Sequence, residues 1–219
     1  NAGFEPIAHV EMNKDACDTL RTRAVYHWLK KNGKIGVYHD YLKNKERSKI
    51  NFWNCAPTEV QDSVIHSEIS DNTINEIFSQ IDKLNKGAEI DLVIGGPPCQ
   101  AYSIVGRARD PKGMKEDPRN HLYKHYVRFL ERYQPKMFVF ENVPGILSAN
   151  NGEFLQKIFD AVNEIGYELK IPPKKYLNAK DFGVLQDRKR VIIVGWRRNL
   201  DLSYPEFDII ENKFQISKD

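Results

Sequence analysis

The sequence is short of cysteine, of net charge, of long apolar runs and of repeats, and each shortage excludes something. Three cysteines in 219 residues, Cys17, Cys55 and Cys99, are odd in number and far apart. That argues against a disulfide-stapled scaffold and against a structural zinc site, whose ligands come in closely spaced pairs; no metal is expected. It points instead to a reducing, intracellular setting. The longest unbroken apolar stretches, such as Val191 to Val194, hold a handful of residues. A membrane span needs ~20. The first residues, Asn1-Ala2-Gly3-Phe4-Glu5-Pro6, have neither the basic start nor the apolar stretch of a signal peptide. They also lack an initiator Met, as expected of a chain that begins inside something longer. No internal repeat, low-complexity tract or Pro/Gly linker marks a domain boundary.

What remains is ordinary globular material with an uneven charge distribution. Hydrophobic residues make up 41% and aromatics 11%, enough for a packed core. One large domain is the expectation at this length, with two small ones as the alternative. The formal charge is only +3, but residues 105–136 hold nine Lys/Arg against four Asp/Glu, and residues 170–198 hold nine against two. Residues 59–91 reverse the balance, with eight acids against two bases. Solvated helix faces would account for such blocks, and so would a polyanion bound along one side. Charge alone does not choose.

Along the chain, short apolar runs alternate with longer amphipathic ones. Ile7 to Val10 reads as a strand, followed by a helix from Lys14 through Leu29 with Cys17, Leu20, Ala24 and His27/Trp28 near one face. Residues 31–60 read as an irregular, Lys/Asn-rich excursion. Val64-Ile65 is a short strand, and Asp71 or Asn72 is the expected cap of a helix whose apolar face is Ile74, Ile77, Phe78, Ile81 and Leu84. Ile90 to Ile94 reads as a buried strand, and a helix carrying Leu122, Tyr126, Phe129 and Leu130 follows a polar loop. Met137 to Phe140 is the next strand. Phe154, Ile158, Ala161, Val162 and Ile165 form a helical stripe closed by Gly166. Strands over Tyr167–Ile171 and Val191–Gly195 complete the core. This alternation predicts an α/β fold, a mostly parallel sheet with helices on both faces. Ligands of such sheets sit beyond the carboxyl ends of the strands.

The unusual residues fall at those ends. Gly95-Gly96-Pro97-Pro98-Cys99-Gln100 follows a strand directly. The glycines allow close approach, and the prolines stiffen the path that presents Cys99. An isolated cysteine is most often a small buried hydrophobe, which is the reading for Cys17. Cys55 supports no argument either way. Rigid Gly/Pro flanks at a strand end favour a nucleophile for Cys99. Glu141-Asn142-Val143-Pro144-Gly145 stops the following strand, and Gln186-Asp187-Arg188-Lys189-Arg190 precedes the last.

The segment Gly95 to Ser103, followed in order by Glu141-Asn142-Val143 and Gln186 to Arg190, resembles three motifs of the DNA (cytosine-5)-methyltransferase family. The resemblance runs from residue 3 to about 198. It implies a Rossmann-like S-adenosylmethionine-dependent methyltransferase fold and transfer of a methyl group to C5 of cytosine in double-stranded DNA. Cys99 would attack C6 of an extruded base, since thiol and carbon cannot meet inside the stack. Glu141 would meet N3 as a proton donor, for which burial is expected. Arg188 and Arg190, alternating along an extended segment, would face one side, hold the glutamate and contact base and phosphate. Gln100, Ser103, Arg119 and Gln186 resemble DNA-contacting positions.

For the cofactor, S-adenosylmethionine, the resemblance points to Glu11 at the ribose hydroxyls and Met12 against adenine, where an aromatic is usual. Glu68-Ile69, Pro97 and Leu122 are further expected contacts. A Gly-rich turn that should precede Gly3 is missing, and no G-x-G occurs anywhere in the chain. The fold is therefore expected to be incomplete at both ends. Residues 1–200 would be a catalytic domain and 201–219 the start of a segment leading to a target-recognition region. Such a piece is expected to bind cofactor poorly and to be inactive alone. The resemblance further implies a bacterial, cytoplasmic enzyme, with a cognate restriction endonuclease as a possible partner in the same system and no membrane. The same chemistry on transfer RNA, or a scaffold subunit without turnover, are the alternatives.

Overall fold

The computed structural model describes residues 3–44, 48–96 and 122–208. Those residues fall into two compact units, divided between Ala88 and Glu89. Each unit has its own hydrogen-bonded sheet.

In the first unit, β1 (His9–Glu11) and β2 (Val64–His66) pair in parallel, with His9 opposite Val64 and Glu11 opposite His66. Parallel neighbours need a crossover, which here begins with α1 (Lys14–Lys31). Asn13 starts α1 by accepting the Ala16 N–H at 3.0 Å, and Lys30 and Lys31 in the last turn complement the exposed carbonyl end. The buried positions of α1 are Cys17, Asp18, Val25 and Leu29, whereas His27 is exposed. Asp18 is buried without being apolar: Lys14, Arg21 and Lys49 surround its carboxylate at 3.5–3.8 Å.

The stretch 31–60 is not irregular. It contains α2 (Ile35–Lys43), α3 (Lys49–Trp53) and the start of α4 (Thr58–Asp62). Helices this short contribute too few buried residues each to show a period. Phe52 and Ala56 join Val25 and Leu29 in one core cluster, edged by Trp28, Tyr38, Tyr41, Trp53 and Val60. Thr73, rather than Asp71 or Asn72, precedes α5 (Ile74–Asn85), and its hydroxyl turns back to the Glu68 carbonyl instead of capping the helix. Ile74, Ile77, Phe78 and Ile81 are buried as their spacing predicts.

The second unit holds β3 (Leu92–Gly95), α6 (Leu122–Tyr133), β4 (Met137–Asn142), α7 (Glu153–Glu164), β5 (Tyr167–Lys170), β6 (Leu177–Asn178) and β7 (Lys189–Arg197). Gly166, at φ +89°, follows α7 as its stop. The strand order is β3-β4-β7-β5, with β6 on the first residues of β7. The α/β class expected from the alternation holds. The sheet is mixed rather than mostly parallel: β3 and β4 are parallel, whereas β7 runs antiparallel to β4, β5 and β6. The reason is connection length. β5 and β6 run in one direction along β7, from Arg197 to Lys189, and the loop 179–188 then reverses the chain, so β7 enters the sheet from the opposite end.

Residues of α6, β4, α7, β5 and β7 share one core, with Leu130, Phe138, Phe140, Ile158, Tyr167 and Ile193 at its centre. β3 departs from its expectation. Among the described residues it pairs with β4 alone, and as the end strand it leaves Ile94 68% exposed rather than buried. The described part of the tail returns to this unit: the Tyr204 hydroxyl donates to the Ile192 carbonyl at 2.9 Å, and Phe207 meets Phe182 edge to face. Among the described residues no helix is long and apolar enough to cross a membrane.

The β4–β7 contact is tightest where Gly195 faces Phe138. A Cβ at Gly195 would lie 2.2 Å from two ring carbons of Phe138 and 2.8 Å from the Glu168 carbonyl. Gly195→Ala is expected to cost about 1–3 kcal/mol by forcing that ring aside. Urea unfolding checks this through a lower midpoint at unchanged slope. A variant as stable as the parent would mean that the ring does not occupy this space.

Candidate active site

Two clusters of sequence-predicted residues form, one in each unit. In the second unit the β4–β7 register sets the geometry. Glu141 lies opposite Ile192, and Arg190 is two residues along β7 from Ile192. Residues two apart on a strand share a face, so Arg190 is the diagonal neighbour of Glu141. Its Nε is 2.6 Å from Glu141 Oε1, and Arg188 Nη2 reaches the same oxygen at 3.8 Å. Arg190 Nη1 also donates to the Lys189 carbonyl at 2.7 Å, which fixes the fork. The burial expected of Glu141 is not found. Its side chain is 40% exposed, because it stands on the face of β4 opposite Phe138 and Phe140 and turns toward the arginines. Gln186 lies exposed in the loop ahead of β7.

The cysteine motif approaches this pair through its glycines. Gly95 is opposite Phe140 on β4, so Gly96 passes Glu141. A Cβ on Gly96 would stand 2.3 Å from the Glu141 carbonyl oxygen and 3.2 Å from its carboxylate. Only glycine permits that approach. Pro97, Cys99, Gln100, Ser103 and Arg119 lie outside the described residues, but Cys99 is three positions beyond Gly96 in sequence.

Two residues missed by sequence reasoning support this end of the sheet. Tyr126, anticipated only as part of an apolar stripe, places its hydroxyl where it donates to the Val139 carbonyl at 2.9 Å and lies 3.2 Å from that of Val93. It thus spans β4 and β3 just below Gly95, against which its ring packs. Burial pushes its phenol well above the usual range. The second is Asn178, buried on β6 with its amide turned to the loop that carries Arg188. Neither gave a sequence signal for its role: Tyr126 reads as one member of an apolar stripe, and Asn178 is a lone amide in a Lys-rich stretch.

In the first unit the carboxyl ends of β1 and β2 bring Glu11 and Met12 near the segment holding Glu68 and Ile69. The Ser67 N–H donates to the Glu11 carbonyl at 3.0 Å, and His66 Nε2 bonds the Met12 carbonyl at the same distance. Glu11 Oε1 accepts the Asn13 N–H at 2.8 Å, which orients the carboxylate at the strand end. Met12 is 61% exposed. Cys17 is fully buried, its thiol donating to the Glu11 carbonyl, and burial raises its pKa. Leu122, at the start of α6, belongs to the second unit. Among the described residues no group of three or more His, Cys, Asp or Glu is arranged to hold a metal.

The sequence pattern that defines C-5 cytosine-specific DNA methylases matches residues 58–219. This chain belongs to that family. It is 36% identical to the type II methyltransferase M.Bpa9945I of Bacillus paralicheniformis over 94% of its own length and 52% of the relative's. It is 47% identical to the type II methyltransferase M.FnuDI of Fusobacterium nucleatum over 61% of its length and 36% of that protein's. The chain therefore spans about half, or less, of the relatives it matches. A prophage-encoded E. coli protein described as a DNA modification methyltransferase has the same fold, with a TM-score of 0.55 and 24% identity over 93% of this chain and 43% of that one. The family match begins at residue 58, so the helices α2 and α3 lie outside it.

The enclosed tyrosines carry a pH dependence. Burial pushes Tyr204 up to about 12 and raises Tyr126 further. In the unfolded chain a phenol ionises near pH ~10. The folded state therefore holds protons that the unfolded state gives up, so this stability is intact below that pH and is lost as pH rises through the folded values. Urea unfolding between about pH 9 and 11.5 should show stability falling with pH. The fall should be shallower in Tyr126→Phe, and an unchanged slope would show that this hydroxyl is not enclosed.

Proposed function

We propose that the protein containing this chain transfers a methyl group from S-adenosylmethionine to C5 of cytosine in double-stranded DNA, with Cys99 as nucleophile. One observation carries the reading: the chain leaving β3 toward Cys99 passes against Glu141, and Glu141 is held by Arg190 and Arg188. Membership of the DNA methylase family supplies the substrate class.

The chemistry follows from the electronics of the ring. C5 of cytosine is too weak a nucleophile to take a methyl group unaided. Attack of the Cys99 thiolate on C6 forms a C–S bond and breaks the C5–C6 double bond, moving electron density to C5 and toward N3. Glu141 meets N3, passes a proton to it as that charge builds, and takes the proton back when the thiolate leaves. Arg190 and Arg188 orient the carboxyl group, and the half-exposed Arg188 guanidinium is the proposed contact to phosphate. After methylation, loss of the C5 proton expels the thiolate and restores the aromatic ring. The base must be extruded from the duplex for Cys99 to reach it. Gln100, Ser103, Arg119 and Gln186 are the proposed contacts to the surrounding strand, and the basic blocks at 105–136 and 170–198 suit a polyanion.

The donor set at the end of β1 and β2 fits the cofactor's nucleoside. Glu11 offers a carboxylate for ribose hydroxyls, and the exposed Met12 thioether and Ile69 offer apolar contact for adenine. Glu68, Pro97 and Leu122 are the further proposed contacts. S-adenosylmethionine, when bound, supplies an electrophilic methyl group. A restriction endonuclease of the same system is the proposed biological partner, by analogy with the type II relatives.

Full-length protein incubated with labelled cofactor should label cytosine in DNA and leave transfer RNA unlabelled; the reverse would move the substrate to RNA. It should also form a covalent adduct with DNA containing 5-fluorocytosine, because fluorine cannot leave as the proton does. Cys99→Ser should abolish that adduct, and an adduct that survives would remove Cys99 from the mechanism. Glu141→Gln should lower kcat by about 10²–10⁴-fold in single-turnover assays.

A further inference from the structure

The side-chain amide of Asn178 is paired at both its oxygen and its nitrogen with the loop that carries the two arginines. Asn178 is 5% exposed, on the two-residue strand that pairs Leu177 with Arg190 and itself with Lys189. Its Oδ1 accepts the Arg188 N–H at 3.1 Å and the Lys180 N–H at 3.4 Å. Its Nδ2 donates to Asp187 Oδ1 at 2.8 Å. The Ala179 N–H adds a backbone bond to the Arg188 carbonyl at 2.9 Å. One buried group therefore grips both ends of the loop between residues 178 and 188, whose positions 183–188 are exposed.

Such an amide is costly to bury unless both ends are paired, and an aspartate here would keep the acceptor and lose the donor. The position it fixes matters. With the Arg188 backbone N–H tied to Asn178, the Arg188 guanidinium lies 3.8 Å from Glu141 and Arg190, two residues on, lies 2.6 Å from it. A loop free to shift by about 1 Å would lose the Arg188 contact and stretch that of Arg190 beyond hydrogen-bond length.

We infer that Asn178, acting with Asp187, is a positioning residue that aims Arg188 and Arg190 at Glu141. The inference rests on the role proposed above for Glu141. Asn178 makes no contact with the carboxylate itself. It acts through the backbone of the arginine segment.

The test uses full-length protein. Asn178→Asp keeps the acceptor for the Arg188 N–H but sets a second carboxylate against Asp187. It should lower kcat for methyl transfer by about tenfold or more, since small misplacements near reacting groups are costly, while leaving KM for the cofactor unchanged. Adding Asp187→Asn restores one donor and one acceptor and should bring kcat back to within about threefold. Asp187→Ala, at an exposed position, guards against a misfolded buried variant and should lower kcat by several-fold. The Nε–H nuclear magnetic resonance signals of Arg188 and Arg190 should shift in Asn178→Asp and return in the exchanged pair. If kcat and the arginine signals stay unchanged while only Tm falls, Asn178 is purely structural and the inference fails. If wild-type protein does not methylate DNA at all, the functional reading fails, and the arginine signals alone still decide the positioning role.

Discussion

The antiparallel pairing of β4 with β7 is the constraint on which the candidate active site depends. It runs over six residue pairs, from Met137 with Trp196 to Asn142 with Val191. Because side chains alternate, the register sends Phe138, Phe140, Val191 and Ile193 into the core and leaves Glu141 and Arg190 together on the other face. A slip of one residue would reverse both sets. The same ladder therefore stabilises the unit and places the carboxylate under the guanidinium, so site and core cannot be varied independently.

Close approach around this ladder is bought with side-chain-free positions and enclosed hydroxyls. Gly195 makes room for the Phe138 ring, and Gly96 lets the exit from β3 pass the Glu141 backbone. Tyr126 ties β3 to β4 with a single phenol, and the Tyr167 hydroxyl donates to the Pro135 carbonyl at 2.6 Å, anchoring β5 to the segment before β4. Lys136 bridges Glu89 and Asp91 at the opposite end of β3. These pairs are exposed, and their worth lies in orientation more than in energy. Among the described residues β3 is thus held by one neighbouring strand, a tyrosine and a surface ion-pair cluster.

In the first unit the logic is different. A two-stranded parallel sheet is marginal by itself, and most of the apolar burial comes from helices. Val25 and Leu29 of α1 meet Phe52 and Ala56, while Tyr41 stacks on Phe52 with ring centroids 4.3 Å apart. Asp18, among three cations, and the Trp53 indole, donating to Thr22 at 3.1 Å, join α3 to α1.

Much was legible in the sequence, and for physical reasons. Strand-end motifs announce themselves because they restrict residue type: a cysteine behind two glycines and two prolines, a carboxylate before Asn-Val-Pro, two arginines at alternate positions. Long amphipathic helices such as α5 and α7 are equally plain, since their buried residues recur often enough to set a period. The short helices of 35–62, the exposure of β3 and the antiparallel direction of β7 were not legible, because they depend on which neighbour a segment finds. By itself the sequence determined the family, the order of the motifs and the residue types available for the chemistry. Only the tertiary structure decided that Glu141 stays partly exposed under Arg190, that Gly96 must be glycine and that Asn178 grips the arginine loop. These are relations between segments distant along the chain, set by strand register and packing, and no local spacing encodes them.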